Sequence, residues 1–321
     1  MTVSRVILDR LAEGRFVSGQ KLADELNISR AAIQQHVATL KHRGLDIQSV
    51  HGRGYRLARP IEPLSESVIR QQFNEGSVKR IKVLDVLDQV DSTNQYLRSE
   101  LDSGRNIDAC FAEYQLAGRG RRGRTWLAAP YGSILFSLRY ELSGGPAASS
   151  GLSLAAGVAA ARALEKAGVD GVELKWPNDL MLGGDKLGGV LIELSGELGE
   201  QCTCIIGVGL NLYLPERLAK ACGQKVTSLD QHNEGTLQRN NLAALLVNSL
   251  VDILAEFDVG GFTPFRDEWQ RRDLYRNCEV CISHGEKTLK GVARGVADDG
   301  ALLVESDGSR IHRITTGEVM A

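Results

Sequence analysis

The hydrophobic pattern of this chain changes twice, and no single layer of secondary structure accommodates all three parts. Up to Gly44 the apolar residues recur every three or four positions, as on one face of a helix. Beyond Pro63, strand-like runs alternate with long helical stretches. From Asp273 onward, short strand-like runs alternate with tight turns. At 321 residues the chain is long for one domain. The expected class is α+β, with a first domain over residues 1–60, a linker over 61–66, a large domain over 67–272 and a small one over 273–321.

In the first part, Val6, Ile7 and Leu11 share one side of a helix over residues 4–13. Ser18 is placed to cap a second helix carrying Leu22 and Leu26. Ser29 is placed to cap a third, lined by Ile33, Val37 and Leu40 and ended by Gly44. Two short helices joined by the turn "NIS" make a helix-turn-helix. "LDIQSV" and "YRLARP", around the glycine-rich basic "HGRG", make the hairpin of a winged helix. The third helix turns Arg30, Gln34, Gln35 and Lys41 outward; with Ser29 and Arg53 these suit phosphates and base edges in a DNA major groove.

The charge is distributed accordingly. Residues 1–60 hold ten Lys and Arg against five Asp and Glu, while the remainder holds 28 against 35. A basic module on an otherwise acidic chain points to a polyanionic partner. No apolar run is long enough for a membrane span, and the charged N-terminal stretch is no secretory signal, so the expected location is the cytoplasm. Six cysteines, including Cys278 and Cys281 as a CxxC and Cys202 and Cys204 as a CxC, are expected to pack as small apolar residues.

The large part should form a mixed sheet, with strands near 81–87, 109–114, 134–140, 187–194 and 203–210 and helices near 149–168 and 242–257. It also carries four polar motifs. "GRGRRGRTW", residues 118–126, puts four arginines on a flexible backbone and suits either a nucleic acid or a small anion. "DSTN", residues 91–94, precedes a helix and reads as an anion- or carbonyl-binding start or as an ordinary cap. "KWPNDL", residues 175–180, reads as a nucleotide and metal site or as a surface turn. "DKLGG" places Lys186 before a buried strand, and "GVGLN" ends one at Asn211.

Together with the winged helix, these motifs closely resemble those of the biotin protein ligases, in particular the bacterial bifunctional form that is also repressor of the biotin operon. The resemblance spans essentially the whole chain. It implies a ligase domain like that of class II aminoacyl-tRNA synthetases and a C-terminal SH3-like barrel. It implies that Ser92, Thr93, Asn94, Gln115, Arg119, Gly120, Arg121 and Lys186 bind biotin. ATP and the adenylate fall to Arg119, Arg121, Arg124, Trp126, Lys175, Asn178 and Asn211. Catalysis falls to Lys186, Arg121, Lys175 and Asp179, with Asp179 on Mg²⁺. Biotinyl-5′-AMP would form first. Biotin would then pass to a lysine of the biotin carboxyl carrier protein of acetyl-CoA carboxylase. With the adenylate as corepressor, a homodimer would bind operator DNA. A lipoate ligase, a sensor without catalysis and an RNA-binding protein are the rival readings.

Overall fold

A computed structural model describes residues 2–102, 104, 108–143, 145–195, 202–232, 237–284, 287–306 and 310–320. The first part holds α1 (Val3–Leu11), α2 (Gly19–Leu26), α3 (Arg30–His42), β1 (Ile47–Val50) and β2 (Gly54–Leu57). Ser18 Oγ accepts from Gln20 N at 3.2 Å and Ser29 Oγ from Ala32 N at 3.1 Å, so both helices start where a cap is available. Asn27, in the left-handed conformation, ends α2. The strands pair antiparallel, with Val50 opposite Gly54 around the basic tip. Ile7, Leu8, Leu11, Leu22, Ile33, Val37 and Leu40 bury one common core, and Tyr131 of the central domain reaches into it.

Residues 61–65 are fastened rather than free. Leu64 N donates to Glu113 Oε1 at 2.5 Å, and Ser65 N to Asn240 Oδ1 at 2.8 Å. Ser65 takes the cap position of α4 (Glu66–Arg70), but its hydroxyl pairs with Ser67 Oγ instead of capping. Then come α5 (Glu75–Arg80), β3 (Leu84–Leu87), α6 (Thr93–Asp102), β4 (Ala109–Ala112), β5 (Ser133–Leu142) and α7 (Leu152–Lys166). The expected strand near 81 starts three residues later, because α5 runs to Arg80 and Ile81 closes it.

β6 (Val172–Lys175), β7 (Asp179–Leu182), β8 (Asp185–Ser195) and β9 (Cys202–Asn211) complete a sheet of order β3-β4-β5-β9-β8-β7-β6. Only β3–β4 is parallel among the named strand pairs, so the sheet is mixed, as expected. After α8 (Glu216–Ala221), the long α9 (Arg239–Gly260) packs with the alanine-rich α7 against the sheet, while α6 lies on β4, β5 and β9. α10 (Arg266–Arg272) follows and buries Trp269.

The last part is an antiparallel sheet of β10 (Glu279–His284), β11 (Lys287–Val296), β12 (Leu302–Ser306), β13 (Arg310–Ile314) and β14 (Glu318–Met320), ordered β13-β12-β11-β10-β14. Its Val280, Ile282, Ala293, Leu302, Val304 and Val319 join the same apolar core as α7 and α9. The composition boundary near residue 273 is therefore not a break in packing.

Candidate active site

A cavity of about 350 Å³ opens over the sheet, where the polar motifs converge. One end is built by strand and helix termini. Beyond β3, Val90 bridges Gln115 in parallel, which carries β3 and β4 forward together and sets residues 92–94 beside Gln115. Thr93 N and Oγ1 both donate to Gln115 Oε1, at 2.8 and 3.1 Å. Ser137 of β5, wholly buried, lies 2.7 Å from Thr93 Oγ1 and 2.6 Å from Asn94 Oδ1. Asn94 Nδ2 donates to Glu193 Oε2 at 2.8 Å. Ser92, Thr93 and Asn94 are all buried. This end is neutral and hydrogen-bonding over an apolar floor that includes Phe136 and Leu191.

Residues 118–126 close over it as a small turn of their own. Trp126 N donates to Gly118 O at 2.8 Å and Gly120 N to Arg124 O at 2.7 Å. Arg122 and Gly123 turn the chain with positive φ. Arg119 faces Glu193 at 3.5 Å. Arg121 Nη1 donates to Asn178 Oδ1 at 3.3 Å. Arg124 pairs with Glu318 of β14, and that guanidinium holds the Glu318 carboxyl below its usual range. Burial, then the like charge of Arg122, lowers the proton affinity of the Arg121 guanidinium, against Asp179 and Glu318. Such a desolvated cation gains from an anion placed beside it.

The other end is cationic. The β6–β7 hairpin turns through a cis Trp176–Pro177 bond. Its turn is held by Trp176 Nε1 on Gly300 O at 3.0 Å and Asn178 Nδ2 on Val190 O at 2.6 Å. The β7–β8 hairpin turns at Gly183 and Gly184, both with positive φ. It brings Lys186 Nζ to 2.7 Å from Asp179 Oδ1 and 5.8 Å from the Trp126 ring. Lys175 lies 5.7 Å from the Tyr275 ring. A Cβ at Gly209 would come 2.7 Å from the indole of Trp126, so glycine is what lets the ring lie on β9.

The structure thus gathers Ser92, Thr93, Asn94, Gln115, Arg119, Gly120, Arg121, Arg124, Trp126, Lys175, Asn178, Asp179 and Lys186 around one cavity. Asn211 stands apart. It is buried at the end of β9 and bonds Thr227 O at 3.1 Å, and it does not line the cavity. Ser137, Glu193, Gly207, Gly209 and Glu318 belong to the site or its support and escaped the sequence reading. The alternating glycines of "GVG" were a usable signal; a serine inside "ILFSLRY" was not.

Among the described residues, no group of three or more His, Cys, Asp or Glu is placed for a metal. Cys202 and Cys204 lie buried in β9, far along the chain from Cys278 and Cys281 in the last part. On the winged helix, Arg30, Gln34, Gln35, Lys41 and Arg53 are exposed. No described helix is long and apolar enough to cross a membrane.

The bifunctional ligase/repressor BirA of Escherichia coli is 41% identical over 308 residues, covering 96% of this chain and 94% of that one. The chain belongs to the bifunctional biotin ligase/repressor family. The Bacillus subtilis member is 29% identical, covering 92% of this chain and 91% of its own. Three family models match in the order of the three parts: an HTH domain over residues 4–56, the biotin/lipoate A/B protein ligase family over 86–211, and the biotin protein ligase C-terminal domain over 276–320. Among solved structures, the biotin protein ligase from Aquifex aeolicus in complex with biotin and ATP superposes with a TM-score of 0.62 at 28% identity. It covers 74% of this chain and 98% of its own.

Proposed function

We propose that this family member joins biotin to ATP as biotinyl-5′-AMP and transfers the biotinyl group to a lysine of the biotin carboxyl carrier protein of acetyl-CoA carboxylase. The observation that carries this reading is the polarity of one cavity: a neutral hydrogen-bonding end at Thr93 and Gln115, and a cationic end at Lys175 and Lys186. A bicyclic urea with an acid tail matches that division. Its ring needs paired donors and acceptors, and its carboxylate needs a cation.

A carboxylate must be activated before it can acylate an amine. The biotin carboxylate attacks the α-phosphate of ATP, and pyrophosphate leaves. Positioning and charge neutralisation carry such a displacement, so no protein nucleophile is needed. Lys186 faces the carboxylate and the forming acyl phosphate. Arg119, Arg121 and Arg124 face the phosphates, Lys175 and Asn178 hold the nucleotide, and Trp126 supports the adenine. Mg²⁺ would arrive with ATP. Asp179 and Asn178 are the oxygen donors suited to it, and it would neutralise phosphate charge. The carrier lysine then attacks the mixed anhydride and AMP leaves. The 118–126 segment keeps water from the adenylate.

The same reading makes the adenylate a corepressor. With it bound, two copies pair and the winged helix, through Ser29, Arg30, Gln34, Gln35, Lys41 and Arg53, grips the operator of the biotin operon in the cytoplasm. The domain limits 1–60, 67–272 and 273–321, the synthetase-like central fold and an SH3-like barrel for β10–β14 complete the proposal. The test is mass spectrometry of purified carrier domain incubated with the full chain, ATP, Mg²⁺ and biotin. One biotinyl group on one lysine is expected; an unmodified carrier overturns the ligase reading.

A further inference from the structure

Glu193 sits near the end of β8, with 21% of its side chain exposed, and touches two parts of the site at once. Oε2 accepts from Asn94 Nδ2 at 2.8 Å, and Oε1 lies 3.5 Å from Arg119 Nη2. A carboxylate can only accept. The orientation of the Asn94 amide is therefore fixed by chemistry: Nδ2 must face Glu193 and Leu191 O, the latter at 3.4 Å, and Oδ1 must face Ser137. Gly207 leaves the slot in which that amide lies, since a Cβ there would collide with Asn94 Oδ1.

The protons can then be followed outward. Ser137 has one, and Asn94 Oδ1, at 2.6 Å, accepts it. The same Ser137 proton also points at Thr93 Oγ1, 2.7 Å away, while Thr93 gives its own proton to Gln115 Oε1. The Asn94 carbonyl draws that proton away from Thr93 Oγ1, which keeps a lone pair for a ligand. Reversing Asn94 would remove that competing acceptor and commit the Ser137 proton wholly to Thr93 Oγ1. We propose that Glu193 is a positioning residue that fixes the hydrogen-bond direction of this pocket, so that Thr93 presents an acceptor to an N–H of a cyclic urea. This rests on the biotin reading of the cavity.

The test compares Glu193→Leu and Glu193→Gln by calorimetric titration with biotin and, separately, with ATP. Glutamine keeps an oxygen for Asn94 Nδ2 but loses the charge toward Arg119, so it separates the two contacts. The expected result is biotin binding weakened about tenfold or more in the leucine variant and within about threefold of the parent in the glutamine variant. ATP binding should stay within about threefold of the parent in both, and both should keep a cooperative melting transition. Glu193→Ala carries the same expectation as leucine should that variant not fold. Biotin binding within twofold of the parent in the leucine or alanine variant overturns the proposal, as does an equal loss with glutamine. If the parent chain itself binds no biotin, the reading of the cavity fails instead.

Discussion

Lys186 and Asp179 meet across the β7–β8 hairpin, Nζ 2.7 Å from Oδ1, each with 15% of its side chain exposed. A register shift between Leu180 and Met181 places Asp179 opposite Gly189 and Met181 opposite Lys186, so both side chains reach the cavity. Each neutralises the other until a carboxylate or phosphate competes for the lysine. Lys186→Ala is expected to lower biotin-dependent adenylation about 10²- to 10³-fold, the usual effect of losing one preorganised donor to a developing charge. Single-turnover adenylate formation measures it, and a loss below about threefold would remove Lys186 from its role.

The contact of Gly209 with Trp126 gives a second expectation. A methyl at 209 must displace the indole or the strand, with an overpacking penalty of about 1–3 kcal/mol. If the indole supports adenine, Gly209→Ala should weaken ATP binding about tenfold and leave biotin binding within about threefold. Calorimetry with each ligand decides it; equal losses would place Trp126 elsewhere in the mechanism.

Glu113 ties the parts of the chain together. Wholly buried, it accepts from Leu64 N and from Arg239 Nη2 at 2.7 Å, with Arg5 of α1 3.9 Å away. Glu113→Gln leaves Arg239 buried against a neutral partner and should destabilise the full chain by about 3 kcal/mol or more. Urea unfolding checks this; a change under about 1 kcal/mol would show that the junction relaxes.

Asp273 supplies a pH dependence. Burial pushes its carboxyl up to about 6 from 3.8, against the bond from Tyr275 N, and Oδ2 is buried without a hydrogen-bond partner. The native state thus holds this proton more tightly than the unfolded state. Below about pH 4 both states are protonated and the group is neutral to stability. Stability then falls as pH rises from 4 through 6, by up to about 3 kcal/mol. Asp273→Asn should therefore stabilise the chain at pH 8 and not at pH 4. The same difference at both pH values would contradict this.

How much of this was legible beforehand follows from local chemistry. Ser18 and Ser29 were readable as caps because the cap bond is made within three residues. The helix at α7 was readable from its length, and the β7–β8 turn from Gly183 and Gly184. The short α5 and β14 were not, since so few residues carry no periodicity. The motif residues of the cavity are marked by unusual local composition. Ser137 and Glu193 look like ordinary strand residues, and their importance comes from pairing across the sheet. Asn211 was drawn toward ATP by its place after "GVGL", but its amide is turned to Thr227 O.

Adenylation of biotin in this cavity has a direct readout. Pyrophosphate exchange into ATP, measured with the full chain and Mg²⁺ in the presence of biotin, of lipoate or of neither, tests it most directly. The account predicts exchange with biotin alone; exchange with lipoate alone, or none with biotin from folded chain, would contradict it.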